Sequence, residues 1–333
     1  MQNNQTIGIN GFGRIGRYVT RLAILDPEIE IGLVNDLSDI KTLMHLFKYD
    51  SIHGRFGLDF EIKGNQVLFS NGKKLSFSQE KNPESIPWNE YGTNTVLECT
   101  GLFLTKDLGS KHFEGGAKKV ILSAPAKDPD IKTIVLGVNE NSISEQDTII
   151  SNASCTTNNV APILKVLMPL VDIKQAYIST IHSYTSDQRL HDAPHRDLRR
   201  ARAAGHSIIP TTTGAAKAIT KIFPKLQGKI HGGAIRVPVS DGSMTEITLI
   251  VAKEISIDDI TKMMSESVAS DMKGVLEVIS EPIVSVDVIG SSASSIYDAS
   301  LSDVYDHMIR IVSWYDNESG YSNRLLELAK RVS

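Results

Sequence analysis

Cys155 stands among small hydroxyl and amide side chains, in the stretch Ser151-Asn152-Ala153-Ser154-Cys155-Thr156-Thr157-Asn158-Asn159. Val160, Ile163, Leu164 and Leu167 follow at three- and four-residue spacing, which predicts a helix with one apolar stripe. Ser154 is a natural N-cap, so the cysteine falls in the first turn. A thiol there meets open backbone N–H groups and the positive end of the helix dipole. Both favour the thiolate, the nucleophilic form. The alternative is a small cysteine buried beneath a cap, the commoner place for an unreactive thiol. Choosing between the two requires a base, an anion-stabilising site and a cofactor from elsewhere in the chain.

His182 is the candidate base. Gln175 to Ser183 alternates, with Ala176, Ile178, Thr180 and His182 on one side. A lone histidine on a strand is more often a hydrogen-bonded core residue than a catalyst. This one follows the cysteine and opens the polar run Ser183-Tyr184-Thr185-Ser186-Asp187, and a nucleophile meets its base through the fold. Anion sites have three candidates. Arg236 lies in the apolar stretch Gly232 to Pro238, where a charge requires either an anionic ligand or a structural ion pair. Thr211-Thr212-Thr213-Gly214-Ala215-Ala216-Lys217 brings hydroxyls and a glycine to a helix start, a composition suited to phosphate. The loop Arg189 to Arg202 carries Arg196, Arg199, Arg200 and Arg202, and reads as a solvated face, a subunit contact or an anion site.

The cofactor signal lies at the other end of the chain. Thr6 to Asn10 reads as a strand, followed by Gly11-Phe12-Gly13-Arg14-Ile15-Gly16 and a helical run from Arg17 to Leu25. A second strand, Glu30 to Asn35, ends in Asp36, twenty residues after Gly16. G-x-G-x-x-G alone is weak. Between a strand and a helix, and answered by an acid at the next strand's end, it is a dinucleotide fingerprint. Gly11 permits the turn, Gly13 lets pyrophosphate approach the backbone, and Gly16 allows helix to pack on strand, with phosphate at the helix N-terminus. Asp36 would bond ribose hydroxyls and repel a 2′-phosphate, favouring NAD over NADP.

These residues need elements to hold them. Thr95 to Thr100, ending at Gly101, and Lys118 to Ser123 read as further strands, with a helical run from Lys106 to Gly115 between them. Strands alternating with helices imply a parallel sheet whose carboxyl edge, at Gly101 and Ser123, receives ligands. Cys99 reads as core within its strand. Lys63 to Trp88 is hairpin-like, with Asn71-Gly72 at the turn. After the Cys155 helix, Thr245 to Ala252 and Ile283 to Val288 read as strands of a mainly antiparallel sheet, and Asn323 to Val332 as a terminal helix. The fold class is therefore α/β, a Rossmann-type parallel-sheet domain plus an α+β catalytic domain. The chain of 333 residues, with net charge −4 and pI about 6.2, gives no global attraction to nucleic acid or anionic membrane. Two cysteines make no disulfide framework and suit a reducing compartment. The N-terminus carries no basic-then-apolar signal pattern and no apolar run reaches membrane-spanning length, so a cytoplasmic protein is expected. No metal ion is called for.

The motifs together resemble the phosphorylating glyceraldehyde-3-phosphate dehydrogenase family over essentially the whole chain. They are INGFGRIGR at Ile9–Arg17, VNDL at Val34–Leu37, KYDSIHGRF at Lys48–Phe56, SNASCTTN at Ser151–Asn158, IHSYTSDQ at Ile181–Gln188, DLRRARAA at Asp197–Ala204, PTTTGAAKA at Pro210–Ala218, RVP at Arg236–Pro238 and SWYDNESGYS at Ser313–Ser322. The resemblance implies an NAD-binding domain over 1–154, completed by a C-terminal helix 318–333, and a catalytic domain over 155–317. It implies a homotetramer with the arginine loop at a subunit contact. It makes Cys155 the nucleophile and His182 the base. Arg14, Ile15, Asp36, Ser123 and Asn317 would hold NAD, and Lys81 stands where the family usually has arginine beside the adenine. Ser154, Thr156, Thr185, Arg200, Thr213, Gly214 and Arg236 would hold D-glyceraldehyde 3-phosphate and inorganic phosphate. Two departures stand out: Asn159 replaces a second cysteine, and Val239-Ser240-Asp241-Gly242-Ser243 is a less common continuation after Arg236-Val237-Pro238.

The expected chemistry is attack of the thiolate on an aldehyde, with the oxyanion held by the Cys155 N–H and protonated His182. His182 then takes the hydroxyl proton as hydride leaves for nicotinamide. Inorganic phosphate resolves the thioester to an acyl phosphate, 1,3-bisphosphoglycerate. On this reading the imidazolium supports the thiolate, and replacing an arginine leaves thiol reactivity nearly unchanged. Two alternatives stay open: erythrose-4-phosphate dehydrogenase on the same fold, and a non-enzymatic NAD-binding redox sensor.

With Asn159 in place of a thiol, Cys155 has no partner one helical turn away. Peroxide is expected to drive Cys155 to sulfinic and sulfonic acid unless a small thiol caps it first. Mass spectrometry checks this, and a Cys155–Cys99 bridge as the main product would contradict it.

Overall fold

Strands Gln5–Asn10, Ile29–Asn35, Thr95–Glu98 and Lys119–Leu122 are largely buried apolar runs, as expected of parallel strands covered on both faces. In the computed structural model, which describes residues 5–332, they form the centre of a nine-stranded sheet. Its order is Lys132–Thr133, Ile149–Ser151, Lys119–Leu122, Thr95–Glu98, Gln5–Asn10, Ile29–Asn35, Lys74–Ser78, Gln66–Phe69 and Phe60–Lys63. The first seven pair in parallel. The last two turn antiparallel through the expected hairpin, with Gly72 at φ +87°.

The second sheet has seven strands, ordered Ile209–Thr211, Ile230–Val237, Ile173–Ser183, Ser243–Val251, Met308–Tyr315, Ser295–Tyr305 and Leu276–Ile279. Two neighbouring pairs are parallel and four antiparallel, so the expectation of a mainly antiparallel sheet is met. Helices Cys155–Leu167, Ala215–Ile222 and Ile257–Val268 belong with it. Ala176, Ile178, Thr180 and His182 are all buried, as the alternation predicts. The parallel register of Ile173–Ser183 on Ile230–Val237 sets His182 opposite Arg236.

The chain divides into two units. One comprises the chain up to Ile134, Asn141–Ala153 and the stretch from Ser322 onward; the other comprises Val135–Glu140 and Ser154–Tyr321. The terminal helix, Ser319–Val332, is anchored within the first unit by Lys330, which pairs with Asp26 (2.5 Å) and Glu28 (2.9 Å). Among the described residues, no helix is long and apolar enough to cross a membrane.

Several boundaries differ from the sequence pattern. The first helix runs Arg14–Leu25, three residues earlier than its apolar periodicity shows, because the glycine-rich turn is completed by Gly13. The run from Lys106 is an α-helix only to Ser110 and then a 3₁₀ turn at Lys111–Phe113, ahead of Gly115 and Gly116. Ile283 to Val288 is not a strand; Ser285–Val288 is a 3₁₀ turn. Val284, Val286 and Val288 alternate with Ser285 and Asp287 as a strand would, but Asp287 bonds back to the Val284 N–H at 2.8 Å and closes a turn that leaves Val284 and Val286 exposed. Cys99 lies one residue beyond its strand and is only partly buried. The terminal helix starts four residues before Asn323, where Asp316 accepts the N–H groups of Glu318 and Ser319.

Gly11 has φ +93°, a conformation other residues resist. A Cβ on Gly16 would lie 2.1 Å from the Gly11 carbonyl oxygen, so helix and strand meet there backbone to backbone. Gly16→Ala should therefore force the helix off the sheet and destabilise the protein by roughly 1–3 kcal/mol. Urea unfolding checks this, and a change under about 0.5 kcal/mol would show that the turn yields freely.

Candidate active site

The catalytic candidates are positioned first by a reversal of the chain. Strand Ile149–Ser151 ends, and Ala153 takes φ +58°, a left-handed conformation that a non-glycine residue adopts only under tertiary constraint. Its N–H is held by the Ser151 hydroxyl at 3.1 Å. Ser154 then caps helix Cys155–Leu167, accepting Thr157 N–H at 3.2 Å. Cys155 is the first helical residue, as predicted.

Its Sγ lies 3.4 Å from His182 Nε2. The other ring nitrogen, Nδ1, is 2.8 Å from the Ser183 carbonyl oxygen and 2.8 Å from Arg236 Nη1. Arg236 Nη1 also donates to the Ser183 carbonyl at 2.8 Å. The Ser183 carbonyl can only accept, which calls for a proton on Nδ1, whereas the Arg236 N–H calls for a lone pair there, so the two contacts compete for that nitrogen and the tautomer follows the one that prevails. Burial and the neighbouring Arg236 charge lower the His182 pKa to about 3. Both influences favour the neutral ring in the free chain, against the expectation of a protonated His182.

The thiol differs from expectation too. Enclosure by protein raises the Cys155 pKa, and Arg236 is the strongest opposing influence, ahead of the Thr156 N–H and hydroxyl. The helix end and Arg236 moderate the cost of burying a thiolate without removing it. Cys99 is inert by comparison, its thiol pushed up to about 12 by burial. Arg236 has no carboxylate partner among the described residues, which disfavours a structural ion pair. Its Nε–H is buried without a hydrogen-bond partner among them, as a group awaiting an anion would be.

Tyr315 is a residue that the sequence pattern did not single out. Its hydroxyl lies 2.9 Å from Thr156 Oγ1 and 3.0 Å from Thr180 Oγ1, and its ring meets His182 edge-on at 5.9 Å. Thr156 is thus tied into the wall behind the thiol. Asn159 takes no part in thiol chemistry; its Nδ2 bonds Ser313 Oγ at 2.8 Å and the Trp314 carbonyl at 3.1 Å.

The remaining anion candidates differ in readiness. Arg200 already pairs with Asp187, and its Nε donates to Thr211 Oγ1 at 3.0 Å. Thr213 Oγ1 accepts the Ala215 N–H at 3.2 Å, while exposed Gly214 is the N-cap of helix Ala215–Ile222 and offers no side chain. Thr185 is half-buried and its N–H bonds Gln188 Oε1 at 3.3 Å. The structure brings Cys155, His182, Arg236 and Thr156 into one connected set, with Ser154 beside it in sequence. Among the described residues, no hydrogen bond joins Thr185, Thr213 or Gly214 to that set.

The dinucleotide candidates lie along the carboxyl edge of the first sheet. A Cβ on Gly13 would meet nothing within 4 Å, so the backbone there is open, as a pyrophosphate cradle requires. The first intrahelical bond runs from Arg17 N–H to Gly13, which leaves the amides of the turn at the positive end of the helix. The Arg14 side chain forms a bidentate pair with Asp50 at 2.6 and 3.1 Å, so its contribution to a ligand comes from its backbone, as does that of Ile15. Against the cost of burial, the His53 N–H and Arg14 hold Asp50 down at about 2. Asp36 Oδ2 accepts the Phe12 N–H at 2.8 Å, which locks the second strand's end to the glycine turn. Ser123 follows its strand at the same edge, its N–H on the Glu98 carbonyl at 3.0 Å. Lys81 is exposed. In the second unit, Asn317 Oδ1 accepts hydroxyls from Ser183 (2.8 Å) and Ser243 (2.7 Å), which fixes its amide with Nδ2 turned away from them. The first unit's glycine turn, Asp36 and Ser123 fit a dinucleotide.

A dinucleotide-binding parallel sheet in one unit and a thiol against an imidazole in the other define a dinucleotide-dependent oxidoreductase. Comparison with known proteins gives the family. Residues 5–106 match the profile for "Glyceraldehyde 3-phosphate dehydrogenase, NAD binding domain", and residues 154–317 that for the "C-terminal domain". The chain is 48% identical over 329 residues to "Glyceraldehyde-3-phosphate dehydrogenase" of Geobacillus stearothermophilus, covering 98% of both chains. It is 46% identical over 325 residues to "Glyceraldehyde-3-phosphate dehydrogenase 1" of Bacillus cereus, covering 97% of both, and 47% identical over 333 residues to the Mycolicibacterium smegmatis protein, covering 98% of both. The chain belongs to the glyceraldehyde 3-phosphate dehydrogenase family.

With a neutral ring, Arg236 and not His182 is the charge that favours the thiolate. Arg236→Leu should raise the pH midpoint of Cys155 alkylation by iodoacetamide by roughly one unit, slowing it about tenfold near neutral pH. His182→Asn should move that midpoint less, because a neutral ring lends no charge. If His182→Asn shifted the midpoint and Arg236→Leu did not, the imidazole would be the group that supports the thiolate.

Proposed function

We propose that the protein catalyses NAD-dependent oxidative phosphorylation of D-glyceraldehyde 3-phosphate to 1,3-bisphosphoglycerate through a thioester on Cys155. The observation that carries this reading is Cys155 Sγ at 3.4 Å from His182 Nε2, with Arg236 on the ring's other nitrogen. Family membership supports the substrate and the direction of the chemistry, and does not favour erythrose-4-phosphate dehydrogenase or a non-enzymatic sensor.

Cys155 Sγ attacks the aldehyde carbon as the thiol proton passes to the neutral ring at His182 Nε2, and the new oxyanion, held by the Cys155 N–H and the resulting Nε2–H, takes that proton to become the hemithioacetal hydroxyl. The ring starts neutral, so no imidazolium is needed beforehand. When an anion takes the Arg236 fork, Nη1 can leave Nδ1, and the ring can carry its proton on Nδ1 toward the Ser183 carbonyl. The Nε2 lone pair then faces the hemithioacetal hydroxyl and removes its proton. Bound NAD supplies the hydride acceptor. Phosphate then attacks the thioester carbon and Cys155 departs as thiolate. Arg236, Arg200, Thr185, Thr213 and Gly214 are assigned to the two phosphate groups, Ser154 and Thr156 to the substrate. Gly11, Gly13, Arg14, Ile15, Gly16, Asp36, Lys81 and Ser123 are assigned to NAD, with Asn317 on its carboxamide.

On the same basis the first unit is assigned to the cofactor and the second to catalysis. A homotetramer is the proposed assembly. Leu190, Leu198 and Ile208 on or near the arginine loop are 80%, 82% and 71% exposed, which supports a subunit contact there. The two free thiols support a cytoplasmic location.

The test is NADH formation followed by absorbance, with glyceraldehyde 3-phosphate or erythrose 4-phosphate, with and without inorganic phosphate, and with NAD or NADP. Phosphate-dependent turnover of the triose with strong NAD preference is expected. Asp36→Gly should narrow that preference, chiefly by weakening NAD. Equal efficiency with both cofactors, or faster turnover of the tetrose, would refute the assignment.

A further inference from the structure

Glu98 is an ionisable group that the mechanism leaves unused, and its side chain has no solvent exposure. Its Oε1 accepts the Thr100 N–H at 2.8 Å and also the Thr100 hydroxyl. Its Oε2 accepts Asn10 Nδ2 at 2.7 Å and faces His112 Nε2 at 3.1 Å. Trp88 Nε1 lies 3.2 Å from His112 Nδ1. An indole N–H can only donate, so Nδ1 holds a lone pair and Nε2–H donates to Glu98. The bonds continue from Asn10 across the sheet. Asn35 Nδ2 donates to Asn10 Oδ1 and to the Glu80 carbonyl, both at 2.9 Å. Asn35 Oδ1 accepts the Ser78 hydroxyl and the Glu80 N–H, both at 2.8 Å.

The donors along this path all point toward Glu98. Its ends are the backbone N–H groups of Thr100 and Glu80, which cannot turn round. The two amides between them can flip only together, and a flip would set the Asn35 N–H₂ against the Glu80 N–H. Where the donors converge, only an acceptor-only side chain fits, and an ionised carboxylate offers the four acceptor directions. The path ties together the ends of four strands, at Asn10, Asn35, Ser78 and Glu98. Gly11 and Asp36 come directly after two of them, Gly101 and Lys81 three residues after the others.

We propose that Glu98 is a positioning residue for the dinucleotide, its carboxylate holding the Gly11 turn, the Asp36 loop and the segment leading to Lys81 in the arrangement that receives NAD. The inference rests on the NAD reading above. Glu98→Gln would place an N–H₂ group against donors on one side or the other, and no flip along the path relieves it. Adding Asn10→Asp to that variant moves an acceptor-only group one step along, where it can take donors from Asn35 and from the glutamine amide, so that of the opposed donors only the His112 N–H remains.

The experiment measures NAD affinity by calorimetry and NAD KM and kcat by NADH formation, in the parent, Glu98→Gln and the double variant. Glu98→Gln should raise Kd and KM for NAD roughly 10- to 100-fold, with kcat at saturating NAD within about twofold. The double variant should recover about tenfold of that loss. NAD affinity of Glu98→Gln within twofold of the parent, a fall in kcat with KM unchanged, or a double variant no better than the single one would each overturn the proposal. A parent that binds no NAD would overturn the cofactor reading and this inference with it. Should Glu98→Gln fail to fold, Asn35→Asp removes the donors to Asn10 and Glu80 and carries the same expectation; unaltered NAD affinity there overturns the proposal.

Discussion

A guanidinium on one nitrogen of an imidazole whose other nitrogen faces a thiol is the contact on which the catalytic unit depends. It exists because strands Ile173–Ser183 and Ile230–Val237 run parallel in a register that sets His182 opposite Arg236. A one-residue slip would turn either side chain to the other face of the sheet. The surrounding packing serves this pair. Tyr315 backs the ring and holds Thr156 and Thr180, and Asn159 ties the nucleophile's helix to Ser313 and Trp314 on the strand that carries Tyr315. The consequence is electrostatic: the cation that suits an anionic substrate also keeps the imidazole neutral.

The first unit follows a different rule. Its parallel sheet delivers strand ends to one edge, and each end must stop with its polar groups satisfied while leaving amides open to a ligand. The buried path from Glu80 through Asn35 and Asn10 to Glu98 meets the first demand. The uncapped turn at Gly13 meets the second, since neither a side chain nor an acidic first-turn residue competes for the helix N-terminus. Asp36 also serves the first demand, its Oδ2 accepting the Phe12 N–H and its Oδ1 the Ser38 N–H.

Much of this was legible in the chain. The Ser154 cap and the helix behind it, the alternation that buries His182, the glycine turn closed by Asp36 and the Asn71-Gly72 hairpin all rest on short-range rules, and each formed where those rules placed it. Boundaries were less legible. Ile283 to Val288 looks like a strand because its valines alternate with Ser285 and Asp287, yet Asp287 bonds back to Val284 and closes a turn, and the Lys106 helix breaks into a 3₁₀ turn before two glycines. Glu98, Asn10, Asn35, His112 and Tyr315 gave no signal, for each is a common residue whose meaning lies in its partners.

The sequence by itself determined the two kinds of sheet, the dinucleotide turn, the cysteine in the first turn of its helix and the buried histidine of the next strand, because periodicity, capping and backbone freedom act over a few residues. Tertiary structure alone decided the charge states. Whether His182 is imidazolium or imidazole, and whether the Cys155 thiol titrates low or high, depends on Arg236, 54 residues beyond the histidine in the chain and 2.8 Å from its ring. At Cys155 burial outweighs both the helix dipole that the local sequence advertises and the Arg236 charge, and at His182 burial and that charge act together, since Coulomb interactions and desolvation follow distance in space and enclosure by protein, and neither is written in the order of residues.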